Sequence, residues 1–197
     1  MSADACPLRV ALVGDSIRMG AEPYVRARLP AAWRVWSPAE NGESSHKLRA
    51  QLDAWLPAGA FDLIHLNCGL HDVRHDPGRD RPVATPEEYA GNLSAIFAVL
   101  SAGGATVVWA TTTPIDEAAH NAAKASRRHA ADIAAYNRIA VELARAAGFR
   151  INDLHAALSQ GPLGELRLPD GVHFSADGYE RIGALVAAAL IAAAPPV

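Results

Sequence analysis

Cysteine is scarce in this chain of 197 residues, which contains only Cys6 and Cys68. Cys6 precedes the first apolar segment and Cys68 stands at the end of a later one, so the sequence indicates no disulfide framework. An excess of one charge is absent too, because the formal net charge is −3. Neither nucleic acid nor an anionic membrane surface is therefore expected as a partner.

Long hydrophobic runs are also missing. The alanine-rich segment from Ile182 to Ala194 is too short and too weakly apolar to cross a bilayer, and it predicts a last helix that covers a sheet. Only about seven residues precede the first strand, which is too few for a secretory signal. We therefore expect a cytoplasmic protein that does not bind membranes.

The composition is that of an ordinary globular protein. Hydrophobic residues make up 50% of the chain and charged residues 20%. No internal repeat and no low-complexity linker divides the sequence. At this length we expect one domain, residues 1–197, whose core is large enough to need no disulfide or metal.

Strand and helix signals alternate along the chain, which predicts a five-stranded parallel sheet with helices on both faces. The predicted strands are Leu8–Val13, Trp33–Trp36, Phe61–Asn67, Ala105–Ala110 and Phe149–Asn152. The predicted helices are Ile17–Leu29, Ser44–Leu56, Pro86–Ser101, Asp132–Ala147 and a last helix capped by Ser175. Thr85 and Glu88 predict a capping box before the third helix. The segment Ile115–Ala130 is predicted to be a mobile flap or a helix, and Ser159–Gly171 a loop.

Polar residues cluster where the predicted strands end. Ligands of parallel sheets gather at the carboxyl ends of the strands. We expect five segments to meet at that edge: Ser16, the Asn41-Gly42 turn, Gly69–Asp72, Thr111–Pro114 and Asp170–His173. This convergence is the main structural prediction from the sequence.

Ser16 follows the first strand at the point where the next helix begins. Its hydroxyl would lie at the positive end of the helix dipole, beside backbone N–H groups that have no acceptor within the helix. Such donors stabilise the negative charge that forms on an attacked carbonyl oxygen, so Ser16 is a candidate nucleophile. The alternative is that Ser16 only caps the helix.

A serine nucleophile needs a base within hydrogen-bonding distance, and His173 is the candidate. Asp170 stands three residues earlier, so one short turn would present both side chains to the same cleft. Asp170 would then hold the imidazole in the required tautomer and stabilise its charged form. The alternative is a surface aspartate and a histidine that caps the last helix.

Four short motifs, taken together and in this order, resemble those of the SGNH, or GDSL, hydrolases. They are Gly14-Asp15-Ser16, the glycine of Asn41-Gly42, Gly69-Leu70-His71-Asp72 and Asp170-Gly171-Val172-His173. The resemblance covers nearly the whole chain and implies a flavodoxin-like, three-layer α/β/α fold with an esterase-type reaction. It also implies roles for Ser16 as nucleophile, His173 as base and Asp170 as the residue that orients it. The N–H groups of Ser16 and Gly42 would be donors of the oxyanion hole.

The third motif departs from the usual family pattern, Gly-x-Asn-Asp, in which the asparagine amide is the third donor. This chain has His71 at that position, as in a bacterial subgroup with Gly-Leu-His-Asp. An imidazole N–H also donates, so His71 is the expected third donor and Asn67 is the alternative. Gly42 has a second interpretation as well, that of a turn residue with a positive φ.

Other polar residues have structural interpretations. Asp15 and Asp72 are expected to tie loops to backbone N–H groups, as aspartate often does in turns. Asp153 and His155 are a competing pair of triad members. Four residues after the third motif are candidates for the rim of the cleft: Arg74, His75, Arg79 and Arg81. The histidines show neither a helical pair nor a His-x-His spacing, so we expect no metal site.

These residues predict a serine esterase that works through an acyl-enzyme and needs no cofactor. A short acyl group, such as acetyl on a sugar, is the expected substrate, because the cleft edge is polar and no apolar lid helix is evident. Lysophospholipid or thioester hydrolysis is an alternative, and so is a non-catalytic ligand-binding module of the same fold. A nucleotide-binding domain is disfavoured because no Gly-x-Gly-x-x-Gly follows the first strand. The oligomeric state is left open.

Overall fold

A parallel sheet of five strands forms the centre of the computed structural model, which describes residues 7–160 and 163–195. The strands are β1 (Arg9–Val13), β2 (Arg34–Trp36), β3 (Leu63–Leu66), β4 (Thr106–Ala110) and β5 (Arg150–Asn152). Their order in the sheet is β2-β1-β3-β4-β5, which is the flavodoxin-like order. All neighbouring strands run parallel, so the predicted fold class is confirmed.

Helices cover the sheet on both faces. Those of the described residues are α1 (Ser16–Arg26), α2 (Ser45–Trp55), α3 (Pro86–Ala102), α4 (Glu117–Ala123), α5 (Ala130–Ala146), α6 (Leu154–Ser159), α7 (Leu163–Leu166) and α8 (Ala176–Ala193). Helix α1 packs against α8 on one face, whereas α2 packs against α3 and α3 against α5 on the other. The result is the three-layer arrangement.

The strands are buried on both faces, which explains why their sequences are almost continuously apolar. All four residues of β3 and the last four of β1 are buried. Trp109 on β4 is fully buried, and its ring lies edge-on to Phe97 of α3 with 5.1 Å between the centroids. A rigid sheet of this kind fixes the positions of the loops that follow its strands.

Short polar side chains set the starts of the helices. Thr85 Oγ1 accepts from the Glu88 N–H at 3.3 Å and the Glu88 carboxylate accepts from the Thr85 N–H at 2.8 Å, so the capping box is confirmed. Ser175 Oγ accepts from the Gly178 N–H at 3.3 Å and caps α8. The N-cap of α1 is Asp15, and Ser16 is the first residue inside that helix. The alternative in which Ser16 only caps the helix is therefore wrong.

Two short helices were not predicted. Helix α6 lies between β5 and the segment 159–171, and α7 lies inside that segment, which was predicted to be a loop. They have six and four residues. Fewer than two turns cannot show an apolar repeat, so the pattern gave no helical signal.

The segment 115–130 is helical over α4 and again at Ala130, where α5 begins, and the stretch between them is held in place. The His75 N–H donates to the Arg127 carbonyl oxygen and the Arg127 N–H donates to the His75 carbonyl oxygen, both at 2.9 Å. Asn121 forms two further hydrogen bonds at 3.0 Å with the backbone of Arg128. The segment is thus joined to the loop after β3, and the prediction of a mobile flap finds no support in these contacts.

Two expectations from composition can be compared with the structure. Cys68 is buried and free, and Cys6 lies outside the described residues. Within the described ranges, no helix is both long and apolar enough to cross a membrane.

Candidate active site

A cleft opens at the carboxyl ends of β1 and β3, where this fold places its ligands. The chain goes from β1 to β2 on one side, whereas β3 lies on the other side of β1, so the loops that follow these strands diverge. The cleft, called here the Ser16 cleft, has a volume of about 310 Å³. It is lined by parts of four of the five predicted segments: Ser16, Asn41, Leu70 and His71, and Asp170, Val172 and His173.

Ser16 is positioned by the turn between β1 and α1. The Asp15 carboxylate accepts from the Ile17 N–H at 2.9 Å and so caps the helix. Ser16 is the first residue of α1, and N–H groups of the first turn have no acceptor inside the helix. Its hydroxyl and its N–H therefore both lie at the positive end of the helix.

The side chains of Ser16, His173 and Asp170 form a chain of hydrogen bonds. Ser16 Oγ lies 2.9 Å from His173 Nε2, and His173 Nδ1 lies 2.6 Å from Asp170 Oδ2. The serine and the histidine are 157 positions apart in the sequence. Asp170 Oδ1 also accepts from the N–H groups of Val172 and His173, at 3.0 and 2.9 Å. Hydroxyl, imidazole and carboxylate thus stand in the order that can activate a serine.

The charge of Asp170 determines the tautomer of His173. Burial acts to raise the pKa of Asp170, but hydrogen bonds from the His173 side chain and from the N–H groups of Val172 and His173 outweigh burial and lower that pKa to about 2. An ionised carboxylate can only accept, so His173 Nδ1 carries the proton in that hydrogen bond. A neutral imidazole then presents the lone pair of Nε2 to the Ser16 hydroxyl, as a general base must.

The turn that carries Asp170 rests on the start of α4. Gly171 has a φ of 72°, and a Cβ at this position would lie 2.5 Å from the Asp116 carbonyl oxygen and 2.6 Å from the His120 nitrogen. Only glycine fits there. The Asp116 N–H donates to the Gly171 carbonyl oxygen at 2.8 Å, which ties the two segments together.

His71 lines the Ser16 cleft from the loop after β3. Burial, followed by the nearby cations Arg128 and Arg74, lowers the pKa of His71 to about 4. Its ring is therefore neutral at ordinary assay pH. Neither ring nitrogen has a hydrogen-bond partner within residues 7–160 and 163–195. A neutral imidazole N–H directed at no protein group is a donor of the kind that an oxyanion needs.

Asn67, the alternative donor, does not line the Ser16 cleft. Asn67 directly follows β3 and lies two residues after His65, so the two side chains point to the same face of the sheet. Both border a small cavity of about 20 Å³ between the sheet and helices α1 and α8, together with Thr113. His71 therefore lines the same cleft as Ser16, whereas Asn67 lines a different cavity.

Gly42 lies against the end of β1, but its N–H is already engaged. The N–H donates to the Gly14 carbonyl oxygen at 2.9 Å, and a Cβ at Gly42 would lie 2.6 Å from the same oxygen. The predicted role of Gly42 as an oxyanion donor would require this hydrogen bond to break. The positive φ expected at Gly42 is found instead at Glu43, with 52°. Glycine is needed at position 42 because the two backbones approach so closely.

Asp72 holds the loop after β3 against the start of α2. Its carboxylate accepts from the Ser45 N–H at 3.0 Å and from the Ser45 hydroxyl at 2.6 Å, and Asn92 Nδ2 donates to that hydroxyl at 3.0 Å. Burial raises the pKa of Asp72 to about 6, although the hydrogen bonds from Ser45 oppose this shift. The loop that carries His71 is thereby fixed at a buried point one residue away.

The fifth predicted segment, residues 111–114, does not line the Ser16 cleft. Its three threonines are buried, and Thr111 Oγ1 donates to Asp153 Oδ1 at 2.9 Å. Thr111, Asp153 and His155 border a separate groove of about 330 Å³ on the α5 side. The competing triad of Asp153 and His155 is therefore wrong, since His173 is the histidine that contacts Ser16.

Comparison with known protein families decides the class of this chain. A family model described as the GDSL-like lipase/acylhydrolase family matches residues 12–181. The chain belongs to this family. It is accordingly a GDSL-type serine hydrolase. A comparison with curated protein sequences finds no match.

Three of the solved structures of similar fold show the range of proteins that this chain resembles. A lipase/acylhydrolase from Enterococcus faecalis has a TM-score of 0.77 at 19% identity, over 96% of this chain and 98% of that one. An acetyl xylan esterase, AlAXEase, has a TM-score of 0.72 at 17% identity, over 93% and 100% of the two chains. TesA has a TM-score of 0.69 at 20% identity, over 92% and 97%. At these identities the likeness establishes the fold.

Of the four rim candidates in this GDSL-type hydrolase, only Arg74 lines the Ser16 cleft. It is paired with Asp76, whose Oδ1 lies 2.7 Å from Arg74 Nε. His75 contacts Asp132 at 3.3 Å, outside the cleft. Metal ligands are not grouped either: in the part of the chain that the structure describes, no cluster of three or more His, Cys, Asp or Glu is placed to hold an ion.

Two residues of the site were missed by the sequence interpretation, which gave His120 no role and did not consider Arg128. Arg128 Nη1 donates to His120 Nε2 at 2.9 Å, so His120 Nδ1 carries its proton and donates to the Asp170 carbonyl oxygen at 3.2 Å. Arg128 Nε donates to the Leu70 carbonyl oxygen at 2.7 Å. The pair thus connects the turn of Asp170 with the loop of His71. No spacing in the sequence signals this, because the contacts form only when α4 meets both loops.

Proposed function

We propose that this GDSL-type hydrolase is a serine esterase that removes short acyl groups, acetyl above all, from small-molecule or carbohydrate esters. The observation that carries the proposal is the pair of hydrogen bonds that join Ser16 Oγ to His173 Nε2 at 2.9 Å and His173 Nδ1 to Asp170 Oδ2 at 2.6 Å. Ester hydrolysis through an acyl-enzyme is the reaction that this order of groups performs best.

In the first half of the reaction, Ser16 Oγ attacks the ester carbonyl carbon and its proton moves to His173 Nε2. The imidazolium that forms is stabilised by the Asp170 carboxylate, whose depressed pKa keeps it ionised. The negative charge on the carbonyl oxygen is received by the Ser16 N–H and by the N–H of neutral His71. A neutral donor is suitable here because it does not lose its own proton to the oxyanion.

In the second half, the tetrahedral intermediate collapses and the bond to the alcohol oxygen breaks. His173 Nε2 returns its proton to that oxygen, and the alcohol leaves. Water then attacks the acyl-enzyme with the same assistance from His173, which releases the acid and restores Ser16. No group beyond the protein's own side chains and water takes part in this scheme.

The size and lining of the Ser16 cleft support a short acyl group. Its volume of about 310 Å³ is at the lower end of the range of ligand sites, about 300 to 1000 Å³. Most of the residues that line it are of polar or charged types, among them Asn41, His71 and Arg74. A polar wall is unfavourable for a long alkyl chain. One solved structure of similar fold is an acetyl xylan esterase, which agrees with acetyl as the group removed.

Hydrolysis of p-nitrophenyl acetate by wild type and by Ser16→Ala tests the proposal. Loss of the nucleophile should lower kcat by about 10⁴-fold or more. Ser94→Ala is the matched control, because Ser94 is exposed on α3, outside the Ser16 cleft, and its hydroxyl donates to the Ala90 carbonyl oxygen. Equal, near-background rates for wild type and Ser16→Ala would refute the esterase mechanism.

A series of p-nitrophenyl esters of increasing chain length, together with acetylated xylo-oligosaccharides, tests the acyl group. We expect kcat/KM to be highest for acetyl and to fall with each lengthening, because Leu70 and Val172 are the apolar side chains in the lining and offer little surface for further methylenes. A rise toward octanoyl or longer esters would contradict the short-acyl proposal and favour the lysophospholipase or thioesterase alternative.

A further inference from the structure

A buried cation, for which the described residues supply no counter-ion, borders the Ser16 cleft. Arg128 is only 7% exposed and lines the cleft together with Ser16 and His173. It forms no ion pair with any residue that the structure describes. Burial, and then the charge of Arg74, lower the pKa of Arg128 to about 10. Three carboxylates raise the pKa of Arg128 by less than burial lowers it, and none of them forms an ion pair with its guanidinium: Asp15, Asp76 and Asp170.

The contacts of this guanidinium leave one nitrogen for a ligand. Nε donates to the Leu70 carbonyl oxygen at 2.7 Å and Nη1 donates to His120 Nε2 at 2.9 Å, and both acceptors are uncharged. The third nitrogen, Nη2, has no hydrogen-bond partner in the described ranges, and it is not sealed from solvent. Two hydrogen bonds therefore fix the plane of the group while its charge stays uncompensated.

The other charges of the cleft add to this excess. Lys124 is exposed, lines the cleft and makes no ion pair among the described residues. Arg74 also lines the cleft, although Asp76 neutralises it. The carboxylate in the lining belongs to Asp170, which is bound to His173. A substrate in the cleft thus meets two cations, Arg128 and Lys124, that form no ion pair with any residue in 7–160 or 163–195.

Buried charges in proteins are usually paired or bound to a ligand, because removing them from water is costly. A guanidinium fits carboxylate and phosphate oxygens best. We propose that Arg128, assisted by Lys124, binds an anionic oxygen group that the substrate carries beside its ester bond. This inference rests on the proposed esterase function and narrows its substrates to esters that bear a carboxylate or a phosphate.

A purely structural role for Arg128 is the competing explanation. Its hydrogen bonds to Leu70 and His120 hold two loops together and need no substrate. A structural role predicts no discrimination between charged and neutral substrates of equal shape, whereas an anion site predicts a strong one. The decisive measurement is therefore charge discrimination.

Matched pairs of esters provide that measurement with the wild-type protein. The pair para-acetoxybenzoate and para-acetoxybenzamide places the charge on the alcohol side, and monoethyl succinate and ethyl succinamate place it on the acyl side. The ester para-acetoxyphenyl phosphate extends the first pair to a phosphate. With kcat/KM normalised to the hydroxide-catalysed rate, the anion should be preferred about 10- to 100-fold in at least one comparison. Ratios near one in all of them overturn the proposal.

Substitutions locate the source of the preference. Arg128→Met removes the charge and should bring the ratio close to one, and Lys124→Gln should reduce it about 2- to 5-fold. Arg34→Gln removes an exposed cation on β2, away from the cleft, and should leave the ratio unchanged. If circular dichroism shows that Arg128→Met does not fold, Lys124→Gln and the wild-type pairs still decide. A preference that persists undiminished in both cleft variants overturns the assignment.

Binding to Ser16→Ala separates this inference from the esterase proposal. The variant lacks the nucleophile, so calorimetry can measure the dissociation constants of intact para-acetoxybenzoate and para-acetoxybenzamide. We expect the anion to bind more tightly by a factor similar to the preference in kcat/KM. Tighter binding of the anion without hydrolysis by wild type would refute the esterase and keep the anion site. Hydrolysis with equal binding would refute the anion site alone.

Discussion

Replacement of His71 by alanine tests the oxyanion hole at the position where this chain departs from the usual family motif. The ring lines the Ser16 cleft, has no hydrogen-bond partner in the described part of the chain and is kept neutral by a pKa of about 4. An N–H that meets the oxyanion contributes mainly in the transition state, because the ester carbonyl oxygen is a weaker acceptor before attack.

The expected magnitude follows from that role. Loss of one oxyanion donor costs about 100- to 1000-fold in kcat, or about 2.7 to 4 kcal/mol. KM should change by less than about 3-fold, since the interaction is absent from the ground state. Steady-state rates with p-nitrophenyl acetate separate the two constants. Thermal unfolding should shift little, because the substitution breaks no hydrogen bond of the ring within the described residues.

Two further variants sharpen the test. His71→Asn restores a side-chain N–H of the kind usual in the family and should recover at least about 10-fold in kcat. His75→Ala is the matched control, because His75 lies in the same loop but contacts Asp132 outside the cleft, and its activity should stay within about 2-fold of wild type. A kcat for His71→Ala within about 3-fold of wild type would refute the reasoning, and so would a rise in KM alone.

Two other predictions concern the tautomer of His173 and backbone packing. Asp170→Asn should lower kcat about 10⁴-fold by favouring the wrong tautomer of His173. In urea titrations, wild type should lose more stability than the variant as pH falls from 3.8 toward 2, because folding lowers the pKa of Asp170 from 3.8, whereas the other carboxylates with a lowered pKa, such as Asp62 and Asp76, are common to both proteins. Gly171→Ala should lower Tm more than Gly78→Ala. The backbone φ is similar at the two sites, 72° and 74°, but only the Cβ at Gly171 would lie within 3 Å of backbone atoms. Equal shifts in calorimetry would show that the close approach to α4 is unimportant.

The fold was predictable because its signals are local. Strand β1 is a short apolar run that ends at a glycine, and the capping box of Thr85 and Glu88 spans four residues. Such patterns act within one strand or one helical turn, and alternation of the two leaves few topologies. The same locality explains the failures, because α6 and α7 are too short to repeat a pattern.

The candidate site was predictable only in part. The residue types at the strand ends indicated which segments meet, and the structure brings Ser16, Asp170 and His173 into hydrogen-bonding distance. The direction of single groups was not predictable. The Gly42 N–H donates to Gly14, and the side chain of Asn67 borders another cavity. Both depend on how one loop packs against another strand, which no neighbour in the sequence dictates.

Short-range patterns account for the layered architecture, for the edge of the sheet at which polar residues gather and for the order of the family motifs. Long-range packing was needed to show that His71 and not Asn67 lines the cleft, that Arg128 is buried with no counter-ion among the described residues and that His120 supports the turn of Asp170. These are relations between segments far apart in the sequence, such as Leu70 and Arg128 at 58 positions or Ser16 and His173 at 157. Packing of the helices on the sheet, rather than local propensity, sets which groups point into the same space.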